Sequence, residues 1–254
     1  MLSYLQSLGV VVGGVIVALC LLLFLNRCLD DDLRRRSNGV NGWQLGIIGS
    51  IYAVALGFML SDAFLAFQTA SADARNEAAA ALTIYRVSNL LPAACGVPLQ
   101  SAVRDYVQTV DTIEWATMNG HNAEFKGSPI VRTMWGIVGQ CDEHTDVSAR
   151  GKVIGSLEDL QSRRDSRIAD YDGNLPAMMW GVLIFGGCIV VASSCLLANE
   201  KKSVHCFHVI SLTVLISFSL LTIADLDRPF EGATRVSSQA FHTAFAEIAR
   251  PSAP

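Results

Sequence analysis

Four stretches of mostly apolar residues, at 8–26, 43–61, 175–198 and 204–224, constrain this chain more than anything else in it. Each has about the 20 residues a helix needs to cross a hydrocarbon core. Lipid offers no water to backbone N–H and C=O groups, so a spanning segment must satisfy them internally, as a helix does. A composition of 51% hydrophobic and 17% charged residues fits a chain with the bilayer as its main solvent. The first stretch reads as a span rather than a cleaved secretion signal, because no Lys or Arg precedes it and its apolar core is too long. A net charge of -4 with scattered basic residues leaves no footprint for nucleic acid.

The spans pair into two hairpins, 1–61 and 175–225, around an insert at 62–174 and ahead of a tail at 226–254. Past Asp62 the apolar pattern continues at helical spacing through Phe64, Phe67, Ala78, Leu82 and Tyr85, so the second span is expected to run on beyond the membrane as one helix until Pro92. Pro98 suits the first turn of a second helix, whose apolar stripe Leu99, Val103, Tyr106, Val110 and Ile113 opposes Asp105, Gln108 and Asp111. A third opens at Ser128-Pro129 and buries Ile130, Met134, Ile137 and Val138; a fourth, at about 146–171, carries Ile154, Leu157, Leu160 and Ile168. In the tail, Phe241, Phe245 and Ile248 share one face of a short helix expected to pack on the helical domain. No strand-like alternation interrupts this, and the expected class is all-α: four membrane helices with an inserted extramembrane helical bundle.

Orientation follows the Lys and Arg of the short connections. Arg27, Arg34, Arg35 and Arg36 follow the first span, and Lys201 and Lys202 follow the third, which places both connections in the cytoplasm. Both termini and the helical domain are then non-cytoplasmic, although Arg163, Arg164 and Arg167, close to the third span, pull the other way. The insert contains just two of the seven cysteines, Cys95 and Cys141. They are either a disulfide formed in an oxidising compartment or two buried thiols in a reducing one.

Small residues Gly49, Ala53, Gly57 and Ser61 recur every fourth position on the second span, as do Gly9 and Gly13 on the first. Such spacing lets helix backbones approach closely. It also suits a helix bordering a conduction path narrowed by Ile47, Ile51 or Phe58. Charges at the ends of the spans, Asp62, Asp225, Asp227 and Arg228, are either interfacial anchors or the charges of an outer vestibule, with Arg228 pairing with Asp62 or Glu77. His205, Cys206 and His208 read as interface residues, and Cys141, Asp142, Glu143, His144 and Asp146 as a solvated loop, so no metal or other cofactor is expected. Neither a phosphate loop, a G-x-S-x-G elbow nor an H-E-x-x-H motif is present, and an enzyme is not expected.

Taken together, YAVALGFMLSDAF (52–64), RNEAAAALTIYRVSNLLP (75–92), NLPAMMWGVLIFGG (174–187) and LDRPFEGATRVSSQAF (226–241) resemble the bacterial bestrophin-like membrane protein family. The resemblance covers most of the chain from about Ser37 onward, with Phe64 and Phe67 standing where a Trp and a Tyr are common. It implies a four-span protein of the bacterial inner membrane related to bestrophins, which are homopentameric anion channels with a central pore and a cytosolic helical domain. The basic connections argue for the opposite placement of that domain. The expected partners are further copies of the chain, the lipid bilayer and small ions. The expected function is an oligomeric ion channel, with chloride-like anions as first candidates. The alternative is a non-conducting membrane scaffold or envelope sensor whose helical domain binds a partner. A transporter ranks third, because the two hairpins show no clear internal repeat.

Overall fold

The computed structural model describes residues 4–29, 31–119, 123–141, 147–173, 175–198, 201–232 and 234–250. Among them every regular element is helical: α1 (Tyr4–Cys28), α2 (Asp31–Val87), α3 (Ala93–Thr109), α4 (Trp115–Met118), α5 (Gly127–Gly139), α6 (Val147–Ala169), α7 (Ala177–Leu196), α8 (Lys202–Asp227) and α9 (Gln239–Ile248). The acidic cluster at 142–146 lies outside the described residues. The chain divides into two compact units, Met1–Leu65 with Asn174–Asp227, and Ala66–Gly173 with Arg228–Pro254.

Among the described residues four helical segments are long and apolar enough to cross a membrane, and α1, α7, α8 and the first part of α2 lie in the first unit. Arg34 to Arg36 belong to the opening turns of α2 rather than to a loop, since α1 ends at Cys28 and α2 begins at Asp31. Arg34 is buried, and its guanidinium donates to the carbonyls of Cys195 (2.6 Å), Leu197 (2.8 Å) and Leu196 (3.4 Å) at the end of α7, and to the Asn26 side chain. Those carbonyls have no partner within α7, and a cation matches the negative end of the helix. Asn38 completes the clasp by exchanging two hydrogen bonds with the backbone of Ala198, at 2.7 and 2.8 Å.

Ala18 and Leu22 of α1, Cys195 of α7 and Val209 of α8 share one buried cluster. Close approach of α1 to α8 occurs at Gly14, where a Cβ would come 3.3 Å from the Ser217 hydroxyl. At Gly9 and Gly13 an added Cβ has nothing of its own chain within 4 Å, so their small faces are not used for packing inside the chain. On the other side of α7, Tyr52 of α2 docks against Gly186 and Gly187: its hydroxyl donates to the Leu183 carbonyl at 3.0 Å, and a Cβ on Gly186 would lie 2.7 Å from the ring. Two glycines in succession thus form the socket that a tyrosine fills.

In the second unit the core is drawn from α2, α3, α5, α6 and α9, with Ile84, Leu99, Val103, Tyr106, Met134, Leu157, Leu160, Phe230 and Phe241 among its buried residues. Helix α3 begins at Ala93, capped by Pro92, so Pro98 sits inside it rather than in its first turn. Gly96 allows the tight corner after α2, because a Cβ there would lie 2.5 Å from the Ser88 carbonyl oxygen. Cys95, beside that corner, is bonded to Cys141, just past the end of α5, with Cα atoms 5.9 Å apart. On α9, Phe241 and Ile248 are buried in this core with Phe245 packed against it. Trp115 meets Phe241 and Phe230 at ring distances of 5.3 and 5.7 Å.

Helix α3 is followed by a π turn, Val110–Glu114, which leads into α4. This turn changes which residues face inward. The regular spacing of the stripe placed Ile113 in the core, but the wider π turn carries Ile113 outward and turns Glu114 inward below Val110, with Trp115 and Met118 following.

Candidate functional site

On the part of α2 that belongs to the first unit, Tyr52 marks the buried side. Away from it, Val40, Trp43, Ile47, Ile51, Val54 and Phe58 recur at three- and four-residue steps and form one ridge of large apolar side chains. They have no cover within the chain: Ile51 is 67% exposed and Phe58 68%. Ser61 and Asp62 follow on this exposed side. Gly49, Ala53 and Gly57 form a separate strip, because four-residue steps drift by about 40° around a helix of 3.6 residues per turn. A Cβ at Gly46, Gly49 or Gly57 would meet nothing within 4 Å. The two residue sets expected on the second span therefore lie on different faces, both unfilled by the chain itself.

The charged residues expected at the vestibule stand in different settings. Asp227 is buried, and its carboxylate accepts the Leu175 N–H at 2.8 Å, just before α7 begins. Asp225 is half-buried and Asp62 exposed. Arg228 donates to Glu231 at 3.3 Å. Glu77 is no vestibule charge: it is fully buried inside the helical unit and bound to Arg167.

That contact belongs to the main electrostatic feature of the helical unit. Arg167 donates to both Glu77 oxygens, at 2.6 and 3.0 Å, and to Glu114 at 2.8 Å. Arg164 grips Glu114 with two bonds, at 2.8 and 3.0 Å. Tyr106 donates its hydroxyl to Glu77, the Gly127 N–H donates to Glu114 at 2.7 Å, and Arg164 also donates to Ser128 at 3.1 Å. The Arg167 guanidinium lies 5.1 Å from the Trp115 ring centre and that of Arg164 lies 5.5 Å from Tyr106, within cation–π range. Two carboxylates and two guanidiniums balance to zero, which buried charges require. Gly127 leaves room for the group, since a Cβ there would lie about 3 Å from Arg164, Tyr106 and Glu114 together.

Burial disfavours the Glu114 carboxylate, but hydrogen bonds and charge from Arg164 and Arg167 overcome it and hold the group below its ordinary value. Burial likewise opposes the Arg167 charge, and the Glu77 carboxylate outweighs it. For Tyr106, burial and then the Glu77 charge push the phenol well above its usual range. The cluster is thus an arrangement of charge-assisted hydrogen bonds that fixes α2, the π turn, α5 and α6 of this unit against one another. Sequence reasoning read Arg164 and Arg167 as charges bearing on orientation. The missed signal was their spacing: Val153, Leu157 and Leu160 lead at the same three- and four-residue steps to Arg164 and Arg167, so both cations continue a core stripe.

The bestrophin-like domain model matches residues 12–241. Similar solved structures include a bacterial bestrophin homologue from Klebsiella pneumoniae phased on zinc, with a TM-score of 0.69, 14% identity and coverage of 95% of this chain and 96% of that one. A point mutant of that homologue gives a TM-score of 0.70 at 14% identity, covering 95% and 97%. No curated protein matches the chain in sequence. A family match over nearly the whole length, joined to an all-α fold with four helices fit to span a bilayer, makes this membrane protein a member of the bestrophin-like family.

Proposed function

We propose that the chain forms a homo-oligomeric channel of the bestrophin type in the bacterial inner membrane, pentameric as the resemblance implies, with small chloride-like anions as the permeant ions. The observation that carries this reading is the unfilled surface of α2. A ring of identical helices needs one face toward the shared axis and another toward each neighbour. On α2 the large apolar ridge of Ile47, Ile51, Val54 and Phe58 suits the axis, and the strip of Gly49, Ala53 and Gly57 suits close contact with the next subunit. Hydrophobic constrictions of this kind gate by excluding water. The basic ends at Arg27, Arg35, Arg36, Lys201 and Lys202 support a cytoplasmic placement of the α1–α2 and α7–α8 connections, with both termini and the helical unit outside.

The test is chloride and cation flux through purified protein in liposomes, beside a mass measurement of the assembled particle. Chloride flux that rises severalfold on Ile51→Thr, which wets the ridge, is the expected outcome. A confirmed oligomer that passes neither ion class, and in which Ile51→Thr merely lowers stability, overturns the channel and leaves the scaffold reading.

A further inference from the structure

Helix α5 is held at both ends. At its start, the Gly127 N–H is bonded to Glu114 and Ser128 accepts from Arg164, so this end is fixed to the buried charge cluster. Between the ends, Val131, Met134 and Val138 are buried in the shared core. At its far end the attachment is covalent, Cys141 to Cys95, and Cys95 sits in the first turn of α3 beside the corner that Gly96 makes possible. Cys141 is 5% exposed and Cys95 9%, and the other five cysteines are free. The insert's only two cysteines are therefore brought together from 46 residues apart, whereas the cysteines of the membrane helices stay single.

We infer that Cys95 and Cys141 form a redox-set latch on α5, closed by a thiol–disulfide oxidoreductase of the cell envelope. The inference rests on the proposed external placement of the helical unit and is independent of ion conduction. A persistent disulfide needs an oxidising compartment, and the charge distribution of the short connections assigns the unit to one by a separate argument. The chemistry is two-step exchange. One cysteine thiolate attacks the oxidant's disulfide, forming a mixed disulfide and releasing one oxidant thiolate. The second cysteine thiolate then attacks the protein sulfur of that bond, forming Cys95–Cys141 and releasing the oxidant as a dithiol. Two protein thiols lose two electrons and two protons, and the oxidant's disulfide gains them. The oxidant acts before the domain closes, because both sulfurs are buried afterwards. Once closed, the latch leaves α5 the freedom of a helix tied at two ends; reduced, it is tied at one.

The experiment uses full-length protein in cells. After acid quenching, free thiols are alkylated before and after reduction and identified by mass spectrometry. Cys95 and Cys141 are expected to label only after reduction, and to label directly in cells lacking the envelope disulfide oxidase. Direct labelling of both in normal cells overturns the inference. Placement is read separately from Val147→Cys, at a position 84% exposed. An impermeant maleimide should reach it with the inner membrane intact; protection until that membrane is opened overturns the external placement while leaving the channel reading standing. For the latch itself, hydrogen exchange across α5 in purified protein should quicken at least tenfold at its Cys141 end on reduction, and likewise in Cys141→Ala. Unchanged exchange in both makes the bond a passive cross-link and overturns the latch.

Discussion

At the scale of single residues, the buried cluster makes the sharpest demands. Removing one partner from a buried pair leaves an uncompensated charge and costs about 3–5 kcal/mol. Arg167→Met should therefore lower the unfolding free energy of the helical unit by that order, measured by denaturant unfolding in detergent. Changing Arg167→Met and Glu77→Leu together should cost less than the two single changes summed, because each removes the charge the other strands. Acid acts through Glu114. Its folded-state value lies below its unfolded value, so its contribution is complete above the unfolded value of about 4.5 and disappears as pH falls through the folded one. Unfolding midpoints measured from pH 6 down to pH 3 should fall, and Glu114→Gln should flatten part of that fall. These charges were readable in outline, since cations at core spacing invite a search for buried acids. Which acids answer them depends on α2 and the π turn meeting α6, across separations of 90 and 50 residues.

Among elements, α2 shows what periodic sequence can and cannot convey. Its length as one helix as far as Val87 was legible because the helical spacing and Ala-rich composition continue well beyond Asp62. The π turn was not, because periodicity reasoning assumes 3.6 residues per turn and a single wider turn moves every later residue. Removing one residue should restore regular spacing: deleting Thr112 leaves Glu114 and Trp115 three and four positions from Val110, on one α-helical face. The variant is expected to fold with the melting temperature changed by only a few degrees, followed by circular dichroism. The Tyr52 socket predicts the opposite. Gly186→Val places carbon atoms where the ring now lies, and overpacking of this kind costs about 1–3 kcal/mol. Loss of monodisperse protein in size-exclusion chromatography would register it. That socket was hidden because Gly186 and Gly187 look like ordinary small residues of a span until a partner is placed against them.

For the whole molecule, the four-span, all-α design was written plainly in hydropathy, whereas assembly is carried by surfaces the chain leaves empty. Gly49 and Gly57 allow a direct test of that point, since a Cβ added at either has nothing of its own chain within 4 Å. Gly57→Leu is expected to leave the helix content and stability of the subunit unchanged while shifting the native mass toward smaller species. An unaltered oligomer would assign the strip to lipid. Sequence alone could not distinguish these faces, because lipid, a neighbouring subunit and a dewetted pore all accept the same apolar residues.

The clasp at the end of α7 also sets an order of events during synthesis. Arg34 lies 161 residues before Cys195, whose carbonyl it reaches. At a translation rate of about 5–20 residues per second, roughly 8–30 seconds separate the appearance of the arginine from that of its acceptors. For that interval the cation of the first hairpin has the Asn26 side chain within reach but not the carbonyls of α7. Arrival of the second hairpin ends the wait, so the nascent protein passes through a half-inserted state that is long-lived on the timescale of helix motion, and Arg34 records its completion.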